Sequence, residues 1–554
     1  MKTFKRIATL CLVVLMAMTT VGTVCFADAE GDMRNLSVIC RAKFTAEWPL
    51  ETRGKNLCYQ VFEKKLADMN IAIDYELVDD ASIREVVQTR MAAQVDVPDM
   101  IADAWIGITE TEIMSWADAG LLLNIRELVN EYDEDGSIFA FYEKHCPGVL
   151  AAMTAPDGGL YWFSYLNAAT HVEEDGTLLD FHGNGYAPLI RKDWLDKVGY
   201  EYKKEMTRDE LFDALKAIQD GDANGNNAPD EIMAIDISGF GNGIARSFGL
   251  TTMSLADIDA ETGKVVNNLY NPAYKDYIAY MQRLYEAGLY DTTSLGEGMN
   301  TELIADNKAS LAYHYWAWAS FESTISATDD AVYAPIMLLD DDGTRYATTD
   351  PLFGTYCHYL VTSACKDPKA IVDLFDYIYT DEYALLNKAG IEGVSFDYNE
   401  AGIPISRYDP EVHPIDWEGT SLFNTVGMIA FPSINTGYNV FKRDQYPESD
   451  YRYLKGQFAE WFQDEGGVDA VNETFGSLPL KIALPTNEEI EFINDVENEL
   501  TTYLRELNTD LILGNRSIDD LDQYIEEIQS LGLSRYLEIV QARRDRFVAA
   551  VGAN

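Results

Sequence analysis

Between residues 220 and 232 the chain reads DGDANGNNAPDEI, with Asp220, Asp222, Asn224 and Asn226 at alternate positions and a carboxylate pair, Asp230 and Glu231, at the close. That chemistry suits a hard cation. Calcium takes roughly six to eight oxygens at flexible angles from carboxylates, Asn carbonyls and backbone carbonyls. Two registers fit. In one, Asp220, Asp222, Asn224, Gly225 and Glu231 follow the EF-hand loop pattern. In the other the ligands are Asp222, Asn224, Asn226, the backbone carbonyl of Ala228, Asp230 and Glu231. An EF-hand needs a helix after its loop, whereas the following EIMAIDISGF reads as extended. The second register therefore suits the flanks better, and Asp220 falls outside the metal shell. A solvated Asx-rich turn is the bland alternative, but it leaves the closing carboxylate pair without a reason. A dockerin-type module would carry paired loops, and this chain has one.

A second kind of chemistry is recognition of sugars, which offer apolar C–H faces and a rim of hydroxyls. Their sites pair aromatic platforms with planar polar side chains. The candidates at expected strand ends are Trp48, Trp105, Trp162, Tyr315, Trp316 and Trp318, with Asp103 and Arg191 as polar partners. For any single Trp, a place in a core is an equally good reading. No catalytic constellation stands out: there is no H-E-x-x-H, no G-x-S-x-G, and the 6 histidines are scattered. A glycoside hydrolase needs only two well-placed carboxylates, so a secreted hydrolase is the rival reading. A calcium-dependent carbohydrate or protein adhesion module is a third.

The elements that must position these residues begin with a βαβαβ rhythm. NLSVICRAKF alternates as a strand, NLCYQVFEKKLADMN has helical spacing, IAIDYELVD is a strand, SIREVVQTRMAAQ a helix and DMIADAW a strand. That order predicts a parallel sheet covered by helices, in an α/β fold. Ligands in such sheets bind beyond the carboxyl ends of the strands, which is where Asp103 and Trp105 fall. Further on, Asp157-Gly158-Gly159 predicts a turn before an aromatic strand. Asp193 is placed to cap a helix, and Thr207 with Glu210 forms a capping box ahead of the helix that runs into the oxygen-rich loop. NKASLAYHYWAWASF reads as a strand ending in an aromatic cluster, DPKAIVDLFDYIYTDEYALLNKAG as a helix pair, and nearly everything after residue 484 as helix.

At 554 residues the chain is too long for one core. With no repeat or low-complexity linker, its lobes are expected to be interleaved. The expected division is a signal segment over 1–29, an N-lobe mainly over 30–160, and a C-lobe mainly over 161–340 that includes the loop 222–231. A return to the N-lobe or hinge follows over 341–410, then the C-lobe and C-terminal helices over 411–554. Lys+Arg of 42 against Asp+Glu of 92 gives a net charge of −50, which repels phosphate backbones and argues against a nucleic-acid partner.

The N-terminus reads as a secretory signal: Lys2, Lys5 and Arg6, then the apolar run IATLCLVVLMAMTTVGTV, then cleavage after Ala27 or Ala29. The mature protein is expected to be exported, secreted or held at the extracellular face of the membrane. Cys25 raises lipid anchoring, but Val24 stands where a lipobox wants a small residue. Past the signal, Cys40, Cys58, Cys146, Cys357 and Cys365 form neither a disulfide framework nor a zinc ribbon.

LIRKDWLDKVG followed by TRDELFDALKAIQDGDANGNNAPDEI resembles the signature of extracellular solute-binding proteins of carbohydrate ABC importers. The branch is the large Gram-positive one, related to LplA-like lipoproteins and alginate-binding proteins. DGGLYWFSY, DPKAIVDLFDYIYTDE, AGIEGVSF, LPTNEEIEF and GLSRYLEIVQARRDRF extend the likeness over nearly the whole mature chain. The resemblance implies a two-lobed periplasmic-binding-protein-like fold with interleaved lobes and a helical C-terminal region. It implies a monomer that closes on an oligosaccharide like a hinge and delivers it to transmembrane permease subunits, and so is not an enzyme. It also implies a structural calcium in the second register. The poor lipobox departs from the pattern.

Overall fold

The structure is a computed structural model that describes residues 33–42, 57–79, 81–103, 106–166, 170–172, 178–180, 188–235, 243–250, 254–259, 262–290, 301–313, 331–340, 343, 355–407, 437–438 and 482–552. The first five elements follow the expected rhythm: β1 (Arg34–Arg41), α1 (Leu57–Asp68), β2 (Ile71–Val78), α2 (Ile83–Ala93) and β3 (Met100–Asp103). β1 lies parallel to β2 from Arg34↔Ile71 to Arg41↔Val78, and parallel to β3 at Val38↔Met100. Helices cover such a sheet, so its strands are apolar on both faces, and Val38, Ile39, Met100 and Ile101 are all buried. The chain continues through α3 (Glu110–Asp118) to β4 (Phe163–Leu166). The turn before β4 forms as expected: Gly158 takes φ 87°, and the Gly159 N–H donates to Asp157 Oδ1 at 2.8 Å.

The chain then builds a second sheet from β5 (Leu189–Arg191), α4 (Lys192–Val198), α5 (Arg208–Asp220), β6 (Ile232–Ile235), α6 (Ala273–Glu286), β7 (Ala309–Tyr313) and β8 (Tyr333–Pro335). Its order is β8-β5-β7-β6, with β7 parallel to β6 and antiparallel to β5. A return segment supplies β9 (Thr355–Val361) and α7 (Pro368–Ile378) to the first sheet, whose order is β2-β1-β3-β9-β4. Because β9 runs antiparallel to β3 and β4, the sheet is mixed, an outcome the βαβαβ pattern alone does not contain. The C-terminal region is helical as expected: α8 (Asn487–Ile512), α9 (Leu521–Ser530) and α10 (Leu533–Gly552).

Two large cores result. One packs Val38, Ile39, Phe62, Phe163 and Phe375, the last two rings stacked at 4.0 Å. The other packs Ile190, Trp194, Leu215, Met233, Met281 and Leu311. The chain passes between them after Leu166, after Leu338 and along α8, whose Ile490 joins the first core while Leu500, Leu504, Leu507 and Leu511 join the second. The lobes are thus interleaved in an α/β fold. The first core extends past residue 160, because Trp162 enters it and Phe163–Leu166 form an edge strand of its sheet. It also takes in Leu484 and Ile490 from the C-terminal stretch assigned to the other lobe.

The Thr207–Glu210 capping box forms in full. Asp193 is a correction: α4 starts one residue earlier, and Asp193 turns its carboxylate to Arg191 and to the Val332 N–H instead of capping. Cys40, Cys58 and Cys146 are buried, and burial pushes the Cys58 thiol up to about 12. Among the described residues, no helix is long and apolar enough to cross a membrane.

Candidate functional site

The oxygen-rich loop is positioned from both sides. Its entry is α5, which buries Leu211, Leu215 and Ile218 against the second core. The helix stops at Gly221, where a Cβ would lie 2.4 Å from Val198 Cγ1 and 3.0 Å from the Ala217 carbonyl. Only a bare Cα lets α5 sit this close to α4. The loop then turns on Asp222, Gly225 and Asn227, at φ 47°, 78° and 63°, a region that Asn, Asp and Gly enter most readily. Its exit is β6, a strand, so no second helix of an EF-hand follows.

Within the loop, side chains take up the backbone N–H groups. Asn227 donates to both Asp222 oxygens at 3.0 and 3.1 Å, Asn226 to Asn224 Oδ1 at 3.0 Å, and Ala228 to Asn226 Oδ1 at 2.7 Å. The amides of Asn224 and Asn226 both donate to Asp230 at 2.9 Å, and Lys308 Nζ stands 3.8 Å from its other oxygen. Asp222, Asn224, Asn226, Asp230 and Glu231 are thereby gathered with the Ala228 backbone. Asp220 is not among them: it remains on α5, exposed and paired with Lys216.

Glu231 carries the strongest signal. Its carboxylate is fully buried; Oε1 accepts the Asn224 N–H at 3.0 Å, while Oε2 has no hydrogen-bond partner among the described residues. A buried polar atom left unpaired costs about 1–3 kcal/mol, more when charged. A cation would satisfy it. Hard oxygen donors on a tightly turned loop with a buried anionic wall fit calcium better than a transition metal.

A second group lies at the carboxyl end of β3. Across the sheet, His358 of β9 pairs with Asp103 on one side and with Ser164 of β4 on the other. The Trp162 ring, 1% exposed, meets the His358 ring edge-on at 5.1 Å, and its indole N–H has no hydrogen-bond partner among the described residues. His358 is the residue that sequence reasoning missed. Its only signal, a His within the strand TYCHYLV, says nothing of what lies beside it. The side chain of Asp103 lies outside the described residues, as do Trp48, Trp105, Tyr315, Trp316 and Trp318. β7 ends at Tyr313, the start of that last aromatic run.

Arg191 sits elsewhere, 1% exposed inside the second lobe. Its guanidinium grips Asp193 with two hydrogen bonds of 2.8 and 2.7 Å, donates to Asn307 Oδ1 at 2.5 Å, and lies 3.9 Å over the Trp194 ring. Burial pushes the neighbouring Tyr333 hydroxyl up to about 12, with Arg191 pulling the other way. With its donors so engaged, Arg191 has the geometry of an internal brace.

Residues 54–385 match the bacterial extracellular solute-binding protein family. The chain belongs to that family. Among curated relatives, the fructooligosaccharide ABC transporter substrate-binding protein FusA of Streptococcus pneumoniae serotype 4 (strain ATCC BAA-334 / TIGR4) is 24% identical over 464 residues, covering 82% of this chain and 81% of FusA. The S. pneumoniae FusA structure with kestose matches at TM-score 0.67 and 21% identity, over 93% of this solute-binding protein and 100% of that chain. A FusA EF-hand mutant with fructo-nystose matches at TM-score 0.67 and 20% identity, over 93% and 100%. Alginate-binding protein AlgQ2, solved without calcium ion, matches at 0.65 and 18%, over 93% and 98%. An HMO-binding ABC-transporter-associated solute-binding protein from Bifidobacterium longum infantis matches at 0.66 and 17%, over 93% and 99%. These structures share the two-lobed fold.

Proposed function

We propose that this solute-binding protein captures an oligosaccharide between its two lobes by hinge closure and hands it to the permease subunits of an ABC importer, acting as a monomer. The observation that carries this reading is the likeness to FusA, which runs through 82% of this chain. On the first lobe, the nearness of Trp162 and His358 to Asp103, the last residue of β3, supports a ligand site at that end of the sheet, the end where open α/β sheets meet ligands. The Trp162 indole N–H, without a hydrogen-bond partner among the described residues, and the His358 imidazole are suited to sugar hydroxyls. Trp48, Trp105, Tyr315, Trp316 and Trp318 are proposed as aromatic platforms; Arg191, spent on Asp193 and Asn307, is not.

The loop of Asp222, Asn224, Asn226, Ala228, Asp230 and Glu231 is proposed to hold a structural calcium, supported by the Glu231 oxygen that has no hydrogen-bond partner among the described residues. When bound, the ion would supply charge neutralisation between α5 and β6; ligand capture belongs to the lobes. Export through the N-terminal segment, to the extracellular face of the membrane or beyond it, completes the reading.

The test is isothermal titration calorimetry of the mature protein against a panel of fructo-, gluco- and galacto-oligosaccharides, with chromatography of the products. Saturable binding of an unchanged sugar supports a transport role. Turnover would show an enzyme, and no binding to any sugar would remove the oligosaccharide.

A further inference from the structure

Asn307 lies 83 residues from Asn224 of the oxygen-rich loop in sequence and against it in space. It sits in the turn before β7 at φ 57°, and three hydrogen bonds converge on that turn. Arg191 donates to its Oδ1 at 2.5 Å; the Asn224 amide donates to its carbonyl at 3.5 Å; and the Ile232 N–H, one residue past Glu231, donates to the Lys308 carbonyl at 2.9 Å. Arg191 itself is locked by Asp193 and by the Trp194 ring under it. A continuous chain of contacts therefore runs from the Arg191–Asp193 pair through Asn307 into the loop.

We infer that Arg191 and Asn307 are positioning residues for the metal loop. An amide is planar, so pinning the Nδ2 of Asn224 to the Asn307 carbonyl and the Asp230 carboxylate fixes the direction of its Oδ1, which faces into the loop at the Asn226 N–H. The same turn sets where β6 leaves the loop, because the Ile232–Lys308 bond is the first rung between β6 and β7. Groups behind metal ligands act in this way: they fix orientation before the ion arrives. The position of Asn307 demands a residue that tolerates positive φ and offers an acceptor to a guanidinium, which Asn meets and most residues do not. This role rests on the calcium reading and goes beyond it, since neither Arg191 nor Asn307 is a proposed ligand.

The test is calorimetric calcium titration of chelator-stripped wild type, Asn307→Gly, Asn307→Asp and Arg191→Lys, each checked for folding by circular dichroism. Asn307→Gly keeps the backbone angle and removes the acceptor; Asn307→Asp keeps both. Calcium affinity is expected to fall about tenfold to a hundredfold in Asn307→Gly and Arg191→Lys, the range seen when groups behind metal ligands are removed, and to be retained in Asn307→Asp. Wild-type affinity in both Asn307→Gly and Arg191→Lys would overturn the inference, as would loss of affinity in Asn307→Asp equal to that in Asn307→Gly. If Arg191→Lys fails to fold, the two Asn307 variants decide alone. A wild type that binds no calcium refutes the calcium reading, and this inference with it.

Discussion

Glu231→Gln is the substitution that best separates a metal site from a polar turn. In the folded chain one Glu231 oxygen accepts the Asn224 N–H and the other is buried without a hydrogen-bond partner among the described residues. Gln keeps the first acceptor and puts a neutral amide in place of the second oxygen. Without metal, the wild type carries a burden of about 1–3 kcal/mol from the unpaired atom. The variant sheds at least the charged part, so in chelator it should melt level with the wild type or above it. With calcium at a hundred times its dissociation constant, the wild type gains about 2.7 kcal/mol. For a lobe of ordinary size that is roughly 5–10 °C. Gln offers one neutral oxygen where the site needs an anion, so the variant's melting curve should stay flat. The wild type therefore leads only in calcium and not in chelator, a pattern that a simple loss of packing cannot produce. Differential scanning calorimetry of both proteins in both buffers is the assay. Equal calcium shifts in the two, or a wild type ahead by the same margin in both buffers, would refute the reasoning.

Other predictions bear on the frame around the site. Gly221→Ala should destabilise the protein by about 1–3 kcal/mol through overpacking, because its Cβ would meet Val198 Cγ1 at 2.4 Å; urea denaturation reads this, and an unchanged midpoint would show that α4 and α5 can part freely. His358→Ala should weaken oligosaccharide binding about threefold to tenfold, the worth of one lost hydrogen bond, measured by calorimetry with folding checked by its melt. Glu489 sits in the capping box of α8 and pairs with Arg546 at 2.7 Å. Burial pushes its carboxyl up, but the Arg546 and Thr486 hydrogen bonds outweigh this and hold it below its ordinary 4.5. A depressed folded value contributes stability above the unfolded carboxylate range and loses it as pH falls through the folded value. Arg546→Gln should therefore raise the Glu489 titration midpoint, followed by NMR, and move acid unfolding to higher pH.

Much of the frame was legible because its causes are local. Apolar spacing marked β1, α1, β2, α2 and β3 within a few residues, and Thr207 with Glu210 marked the start of α5. The loop was legible for the same reason, since Asp222 to Glu231 lie within one short stretch and the strand character of β6 follows from EIMAIDISGF. Most of what failed was non-local, and one miss was local. Asp193 looks like a cap until Arg191, two residues earlier, claims both its oxygens. The antiparallel return of β9 sets His358 beside Asp103 and Ser164, a neighbourhood created by strand pairing across hundreds of residues. Asn307 is invisible for the same reason: nothing in NKASLAY reveals that its first residue braces a loop far upstream.

The most direct test of capture without chemistry is calorimetric titration of the calcium-loaded mature protein with oligosaccharides such as kestose and nystose, with the sugar recovered afterwards. Saturable binding at one site per chain, with the sugar recovered intact, is the predicted result. Hydrolysed sugar, or no heat from any oligosaccharide in the panel, would contradict it.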